Sequence, residues 1–439
     1  MKLANLPETC FEGVIPSSIA TSGADGFPNI SYLSQVLRVD ETHVAISNQF
    51  FGKTAENLAR DPRASLLLVD GLTGAQFECA LLHHETLTDG TLFTRFRIQL
   101  AADCAAHGLA DRMGLKAADL FRVLAISPVP GPELRPSLQI ESGPDLPSLA
   151  AFMTALAAET DVEAISDALL DGAISLFGAN AAMFLLPEPS AGTFVLIGSR
   201  GYAVCGAGAE IGVTGGLLEI AAREHQMVRL NDLSRSSRML EAISLPDENA
   251  PPLAAPLLEG VNSQIVVPLL HHDKLVGIYF LESRNRLAFG ASVAAAIEIV
   301  ALQASAALVE AESSGTGEVQ APQAVGLLPD GRGPLIEFRH HTQDDSVFID
   351  GTYVIRGVAG RLLLYMIRRR LETGQTDFTN MELRREPSLK LPEFRENLET
   401  RLLMLKRRLL ERDLPVRLER SSKGRHRLHV DGSVSVSVR

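Results

Sequence analysis

The chain has 439 residues, of which 46% are hydrophobic and 21% are charged, and its net charge at pH 7 is −12. The length predicts two to four domains of about 100 to 200 residues each, and the composition excludes a disordered or fibrous protein. No apolar run approaches the roughly 20 residues of a bilayer span, and the start lacks a secretory signal. We therefore expect a cytoplasmic protein with no membrane contact.

Charge is unevenly distributed along the chain. Residues 331–439 contain 22 Lys and Arg against 15 Asp and Glu, which leaves 19 basic and 38 acidic residues in the remainder. Basic charge concentrated in one module is typical of phosphate binding, so we expect the C-terminal part to contact nucleic acid. The four cysteines are far apart and form no C-x-x-C pair, which predicts reduced thiols and no zinc site.

Two linkers divide the chain into three segments. The first linker, around 127–147, is crowded with proline, and the second, 313–334, has the composition of a flexible tether. The predicted domains are 1–130, 145–312 and 335–439. The predicted fold class is a multidomain α+β protein.

In the first segment, β-rich runs at 14–21, 29–39, 43–47 and 64–69 alternate with turn signals, which predicts antiparallel strands. A helix over 53–60 interrupts them and ends at Asp61-Pro62, and two further helical stretches flank Gly108. The pattern indicates a small barrel with helices at its ends.

The same segment carries three motifs: A-T-S-G-A-D-G-F-P-N at 20–29, I-S-N-Q-F-F-G-K-T-A-E-N-L at 46–58 and D-P-R-A-S-L-L-L-V-D at 61–70. Together they resemble the split-barrel flavin-binding family typified by pyridoxamine 5′-phosphate oxidase. The resemblance implies an FMN phosphate site formed by Ser47, Asn48, Lys53 and Thr54. A cation with hydroxyl and backbone donors at a helix start suits a phosphate dianion. Alternatively, Lys53 only begins a surface helix.

Other contents of the barrel stay open. The resemblance also allows a deazaflavin, haem or an empty barrel, and the segment has no signature of a pyridoxal phosphate pocket. His83 and His84 are a minor haem alternative. Adjacent histidines in a strand point to opposite faces, so neither this pair nor those at 271–272 and 340–341 can chelate one metal ion.

The second segment begins with a predicted amphipathic helix over 149–176 and closes with one over 291–312. Between them we predict strands at 182–186, 194–199 and 228–230, a helix after Gly215-Gly216, and a hairpin that turns at His272-Asp273. The motifs S-Q-I-V-V-P-L and L-V-G-I-Y-F-L-E-S resemble a GAF sensory domain, an α/β sandwich. That resemblance implies a pocket for a small ligand of unknown identity, or packing without a ligand. Cys205 lacks the histidine that follows bilin-binding cysteines, so we expect an unreactive thiol.

The third segment predicts a hairpin at Asp350-Gly351, a helix over 358–371 that ends at Gly374, and a short helix with Thr379 and Glu382 in a capping box. A third helix over 392–412 and a cationic hairpin follow. A sheet, three helices and a terminal hairpin together predict a winged helix. The segment resembles the output domain of response regulators, and the likeness lies in the motifs R-E-N-L-E-T-R-L-L-M-L-K-R-R-L and K-G-R-H-R-L. His426 stands where that family has an aromatic residue.

Helical spacing places Leu398, Leu402, Leu405 and Leu409 towards the core of this winged helix and the polar side of the third helix towards solvent or DNA. Asn397, Thr400 and Arg401 are the candidates for contacts with base edges, and Arg395 lies on the same side. The candidates for phosphate contacts are Lys406, Arg407, Arg408, Lys423, Arg425 and Arg427. The alternative is a solvated basic helix.

These observations predict a one-component transcription regulator that binds double-stranded DNA as a homodimer and senses a cofactor or ligand upstream. The alternative is an FMN-dependent oxidoreductase with regulatory C-terminal domains. A third interpretation is that the barrel serves only dimerisation.

Overall fold

The computed structural model describes residues 1–49, 51–105, 114–131, 143–188, 193–202, 206–212, 216–234, 258–314, 334–343, 345–389, 391 and 398–438. Within these ranges the chain is a mixed α and β multidomain protein with four sheets. The predicted contact residues Arg395 and Asn397, and also Cys205, lie outside the described residues.

The first sheet has seven antiparallel strands in the order β2-β1-β5-β6-β7-β4-β3 and curls into a half-barrel. The strands are β1 Ser17–Ser22, β2 Pro28–Leu33, β3 Val36–Arg38, β4 His43–Asn48, β5 Arg63–Val69, β6 Gln76–Leu87 and β7 Ala117–Pro128. The helices are α1 Lys53–Arg60 and α2 Gly90–Ala105. Ile19, Ile46, Leu66 and Phe121 are among the residues that fill its core.

Two predictions for this segment need correction. The run at 29–39 is two strands, β2 and β3, separated where the carbonyl of Gln35 accepts from the amide of Ser47 at 3.2 Å. Of the two helical stretches predicted to flank Gly108, the first is α2, and the second falls partly on residues 106–113, which lie outside the described residues, while residues 117–128 form β7. This strand is held on both sides by β4 and β6, so tertiary pairing overrides a composition that also suits a helix.

The second sheet has the order β10-β9-β8-β13-β12-β11. Its strands are β8 Ala181–Glu188, β9 Thr193–Arg200, β10 Glu210–Gly212, β11 Val228–Leu230, β12 Ser263–His271 and β13 Lys274–Ser283. Tyr279 and Leu281 face α4 Val162–Ser175 and α6 Ala291–Ser314, whereas Ile278 and Phe280 face α5 Leu217–Glu224 and α2 of the half-barrel. This alternation buries both faces of the sheet.

The predicted helix over 149–176 is two helices, α3 Leu146–Ala158 and α4. The break occurs because Asp161 caps α4: its side chain accepts from the amide of Glu163 at 3.0 Å. The predicted hairpin turn is confirmed, with φ of 46° at His272 and 59° at Asp273. Among the described helices, α6 alone is long and apolar enough to cross a membrane by length and composition, and 56% of that stretch is buried inside the protein.

The C-terminal part contains two sheets, β16-β15-β14-β20 and β17-β19-β18. The strands are β14 Leu335–His341, β15 Ser346–Ile349, β16 Thr352–Ile355, β17 Asp377–Thr379, β18 Val416–Ser422, β19 Arg425–Val430 and β20 Ser433–Val438. The helices are α7 Gly357–Thr373, α8 Asn380–Arg385 and α9 Leu398–Glu411. Gly374 ends α7 with φ of 75°, as predicted.

The capping box forms in part. Thr379 accepts from the amide of Glu382 at 3.2 Å, but the carboxylate of Glu382 accepts from Gln375 instead of completing the pair. The buried residues on the α4 and α6 side of the second domain's sheet and those of the C-terminal part belong to one continuous apolar core, separate from the cluster on the α5 and α2 side. The two parts are therefore packed on each other and not joined only by a tether.

Candidate functional site

The predicted phosphate site lies where β4 leads into α1 in the half-barrel. Lys53 is exposed and forms no ion pair within the described part of the chain. The helix that it begins has Gly52 at its N-cap, and no side chain among the described residues caps its first amides. A cation beside uncapped amides at a helix N-terminus is an arrangement that binds anions.

The other three predicted residues are buried and already hydrogen-bonded. The hydroxyl of Ser47 lies 2.9 Å from that of Ser34, and the amide of Asn48 donates to Asp119 at 2.9 Å. Thr54 accepts from Asn29 at 2.9 Å, and its hydroxyl lies 2.8 Å from that of Ser31. These three side chains thus hold the loop and the start of α1 in place, and Lys53 with the first amides remains available to a phosphate. The residues present fit a phosphate group in this way.

A polar network that the sequence did not predict supports this site. Asp119 is buried on β7 and accepts from Asn48, while the hydroxyl of Thr86 donates to it and Nε2 of His83 lies 3.2 Å away. His83 therefore has a carboxylate partner. No cluster of three potential metal ligands is found among the described residues.

The third predicted helix is placed differently from our expectation. Leu398, Leu402, Leu405 and Leu409 are buried, as predicted. Thr400, Arg401 and Arg408, predicted to face solvent or DNA, are only 3%, 3% and 8% exposed. The prediction of an exposed polar side is wrong in this structure, because α9 is covered on that side by α4 and β9 of the second domain.

Each of the cations on α9 has a partner. Arg401 lies 2.5 Å from Glu188, Lys406 lies 2.6 Å from Glu163, and Arg407 lies 3.0 Å from Asp167. The guanidinium of Arg408 donates to the carbonyl of Val354 at 2.9 Å. Burial of the guanidinium away from water lowers the pKa of Arg408. Carboxylates and carbonyls thus compensate the burial of these charges.

The terminal hairpin, β18 and β19, is more open. Lys423 at its tip and Arg427 are exposed, and Arg427 also pairs with Asp377 at 2.9 Å. Arg425 is half-buried. His426 is buried and lies 3.5 Å from Glu399, which also accepts from Asn380. His426 therefore joins the hairpin to α9, which accounts for a polar ring at that position.

A second buried polar cluster lies in the six-stranded sheet. Glu282 on β13 accepts from Gln264 at 2.6 Å, from the hydroxyl of Tyr202 at 2.7 Å and from the amide of Leu258 at 2.9 Å. Burial raises the pKa of Glu282, and the three hydrogen bonds oppose that rise. The signal available in the sequence was one acidic residue at the end of a buried apolar strand.

Comparison with known proteins supports the first two domains. The family model of pyridoxamine 5′-phosphate oxidase matches residues 8–128, and that of the GAF domain matches residues 159–309. The chain thus contains an N-terminal domain of the flavin-binding pyridoxamine 5′-phosphate oxidase type, followed by a GAF sensory domain. Both resemblances predicted from the motifs are confirmed. No curated protein is found to match the chain.

Several solved structures are similar in part. The GAF domain of an Acinetobacter phosphoenolpyruvate-protein phosphotransferase is 15% identical over 40% of this chain and 97% of its own, with a TM-score of 0.32. The GAF domain of the corresponding protein from Coxiella burnetii is 16% identical over 38% and 94%, with a TM-score of 0.31. An FMN-binding protein from Syntrophomonas wolfei is 16% identical over 29% and 87%, with a TM-score of 0.24.

Proposed function

We propose that this protein is a one-component transcription regulator whose N-terminal and GAF domains sense a cofactor or ligand and whose C-terminal part is a winged helix that binds promoter DNA. The observation that carries the proposal is the order of elements after α7. In the chain, the short strand β17 is followed by α8, α9 and the terminal hairpin. In the fold, β17 pairs with β19 of that hairpin. Three helices and a hairpin in this order, in the basic part of the chain, support a DNA-binding role.

The exposed cations of the hairpin are the first phosphate contacts in this proposal. Lys423 and Arg427 are accessible, and Arg425 lies between them on β19. Lysine and arginine at such a hairpin fix the protein on the DNA backbone without reading sequence. Arg395, Asn397, Thr400 and Arg401 at the start of α9 and before it remain our candidates for base contacts, with Lys406, Arg407 and Arg408 on phosphates.

The N-terminal domain would supply the sensing site. Lys53 and the first amides of α1 would hold the phosphate of FMN, while Asn48 and Thr54 keep the loop in position. A bound flavin would supply redox chemistry, so its oxidation state is one candidate signal. Haem or an empty barrel remain the alternatives.

Salt-dependent DNA binding by the full chain tests the proposal. We expect the chain to bind short double-stranded DNA of mixed sequence at low salt, with an affinity that falls steeply as salt rises, because bound cations release counterions. The double variant Lys423→Ala and Arg427→Ala should bind more weakly, with a salt slope reduced by about one for each phosphate that the variant no longer binds. Arg223→Ala, an exposed arginine on α5, is the matched control and should leave both unchanged.

The result that contradicts DNA binding is a wild-type chain with no salt-dependent affinity for DNA, whereas equal, measurable affinities for the hairpin variant, the control and the wild type would contradict the role of the hairpin cations. Anisotropy of labelled DNA measures this at several salt concentrations.

An alternative function, a flavin-dependent oxidoreductase with regulatory C-terminal domains, is favoured by the available Lys53 and the uncapped start of α1. The purified chain would then show a flavin spectrum that NAD(P)H bleaches with rapid turnover. Lys53→Ala should lose the flavin if this lysine binds the phosphate, whereas Arg60→Ala at the other end of α1 should retain it. A colourless wild-type protein would exclude this alternative.

A further inference from the structure

The GAF domain presents a set of carboxylates to α9, which we call the acidic clasp. It comprises Asp161 and Glu163 at the start of α4, Asp167 one turn later, Glu188 at the end of β8 and Glu312 near the end of α6. Each of these carboxylates contacts a residue of the C-terminal part. The clasp therefore brings together separate elements of the domain on one surface.

Ion pairs of the clasp engage basic residues of α9 and of the hairpin, and three of these residues are among the predicted DNA contacts. Glu163, Asp167 and Glu188 pair with Lys406, Arg407 and Arg401, and Asp161 pairs with Arg420 on β18 of the hairpin. The guanidinium of Arg407 also donates to the carbonyl of Ile197 on β9 at 3.1 Å. Carboxylates thus stand in this conformation where phosphates would stand on DNA.

Glu312 holds the beginning of α9. Its carboxylate accepts from the amide of Glu399 at 3.1 Å, and from both the amide and the hydroxyl of Thr400 at 2.8 Å. Arg384 on α8 lies 3.5 Å from it. The N-terminus of a helix attracts anions, so this contact is a cap provided by another domain. The candidate for a base contact, Thr400, is fully engaged by it.

The contact that the clasp stabilises includes a cleft and an incompletely hydrogen-bonded arginine. A cleft of about 400 Å³ lies between the GAF domain and the C-terminal part, and Glu188, Arg401, Glu210 and Arg356 line it. Arg401 is almost fully buried, yet its Nε has no hydrogen-bond partner among the residues that the structure describes. A charged group that is buried and incompletely satisfied favours an alternative state in which it is solvated or bound elsewhere.

We infer that the acidic clasp holds the C-terminal part in a closed state in which α9 cannot reach DNA, so that the GAF domain is the intramolecular competitor of DNA for the same cations. The inference rests on the proposed DNA-binding function. A closed and an open state in equilibrium allow any upstream event that weakens the clasp to raise DNA affinity by the same factor. Because α9 packs against α4 and β9, a rearrangement of the GAF domain would act on the clasp directly.

The test uses the full chain with Glu163→Gln and Glu188→Gln together. Both side chains are partly exposed, and glutamine has nearly the shape of glutamate, so the fold should be retained. Asp171→Asn is the matched control, because Asp171 lies on the same helix and pairs with Arg200 of the GAF domain itself. Two quantities are measured: hydrogen exchange of the amides of α9, and affinity for short double-stranded DNA of mixed sequence.

We expect the double variant to exchange its α9 amides faster than the wild type and to bind DNA about tenfold more tightly, within the range typical of coupled sites. The control should match the wild type in both. Faster exchange with an unchanged, measurable DNA affinity would overturn the inference while leaving DNA binding in place. Faster exchange with no DNA binding by any variant would overturn the proposed function, and unchanged exchange would show that the clasp does not hold α9.

Discussion

The GAF domain contacts a neighbour on each side, and carboxyl groups lie at both of these junctions. The chemical surroundings of the carboxyl groups differ between the two. At the C-terminal junction the carboxylates face arginine and lysine. At the N-terminal junction, Asp103 on α2 has the amide of Gln99 at 3.2 Å, and that same amide donates to the carbonyl of Arg229 on β11. Carboxyl groups at the two junctions are thus in different chemical environments.

Asp103 should make stability depend on pH. Burial raises its pKa to about 7, although the hydrogen bond from Gln99 partly opposes this rise. Between the unfolded pKa near 4 and about 7, the folded state keeps a proton that the unfolded state has lost, so stability falls as pH rises, by about 1.4 kcal/mol per unit for a single group. Asp103→Asn removes this contribution.

Melting temperatures of the wild type and Asp103→Asn at pH 5 and pH 8 measure the effect. The variant should gain on the wild type as pH rises, and Asp89→Asn, an exposed position just before α2, should not. A difference between wild type and Asp103→Asn that stays constant from pH 5 to pH 8 would show that Asp103 does not titrate in this window.

Among the elements, α9 takes the partners of its first turn from a neighbouring domain. The amides of Glu399 and Thr400 in its first turn donate to Glu312, which lies 87 residues before Glu399 in the chain. Burial raises the pKa of Glu312, while the hydrogen bonds from Thr400 and Glu399 and the charge of Arg384 lower it. The carboxylate is therefore costly to bury and is retained by its partners.

Replacing Glu312 should destabilise the start of α9. Glu312→Ala leaves two amides and a hydroxyl without their acceptor, and we expect a loss of about 1 to 3 kcal/mol, because each unsatisfied buried donor carries a desolvation cost. Glu310→Ala, exposed on the same helix, is the control and should change stability by less than about 0.5 kcal/mol. Equal melting temperatures for the two variants would contradict the capping role.

The local elements were predictable, and their partners were not. The turn at His272-Asp273, the end of α7 at Gly374 and the cap at Thr379 follow from residue types with specific backbone preferences. The leucine face of α9 was predicted from its spacing.

The partner of the polar face of α9 was not predicted, because the carboxylates of the clasp are scattered from residue 161 to 312 and carry no local pattern. The lysine of the phosphate site followed from a motif, but the supporting Asp119 is distant in the sequence, 71 residues after Asn48.

At the scale of the whole molecule, the GAF domain is the centre of the assembly. On one side α2 packs against α5 and β11, with Arg97 paired to Glu224 at 2.6 Å. On the other side the C-terminal part shares its apolar core. The GAF domain is thus in direct contact with both of its neighbours, so a structural change within it can reach either of them.

The half-barrel exposes an apolar surface that we expect a second copy of the chain to cover. Ile30 and Tyr32 on β2 are 67% and 82% exposed, and Phe27 just before the strand is 70% exposed. In the described sheet β2 is an edge strand, paired with β1 on one side. Exposed apolar groups on an edge strand favour association, and a two-fold interface would bring this surface against itself.

Charges on this surface should therefore separate the dimer. In a two-fold interface, the same surface of each subunit contacts the other subunit. The double variant Ile30→Glu and Tyr32→Glu therefore brings like charges of the two subunits together and also removes the buried apolar groups. Light scattering after size-exclusion chromatography should give twice the 47.3 kDa chain mass for the wild type and the single mass for the variant. Leu335→Glu, 69% exposed on β14 of the C-terminal part, is the control and should remain dimeric. A wild-type chain with the mass of a monomer would exclude this pairing. A double variant that keeps the mass of a dimer would place the dimer contact elsewhere, and the exposed Ile299 and Leu302 of α6 would then be the next residues to substitute.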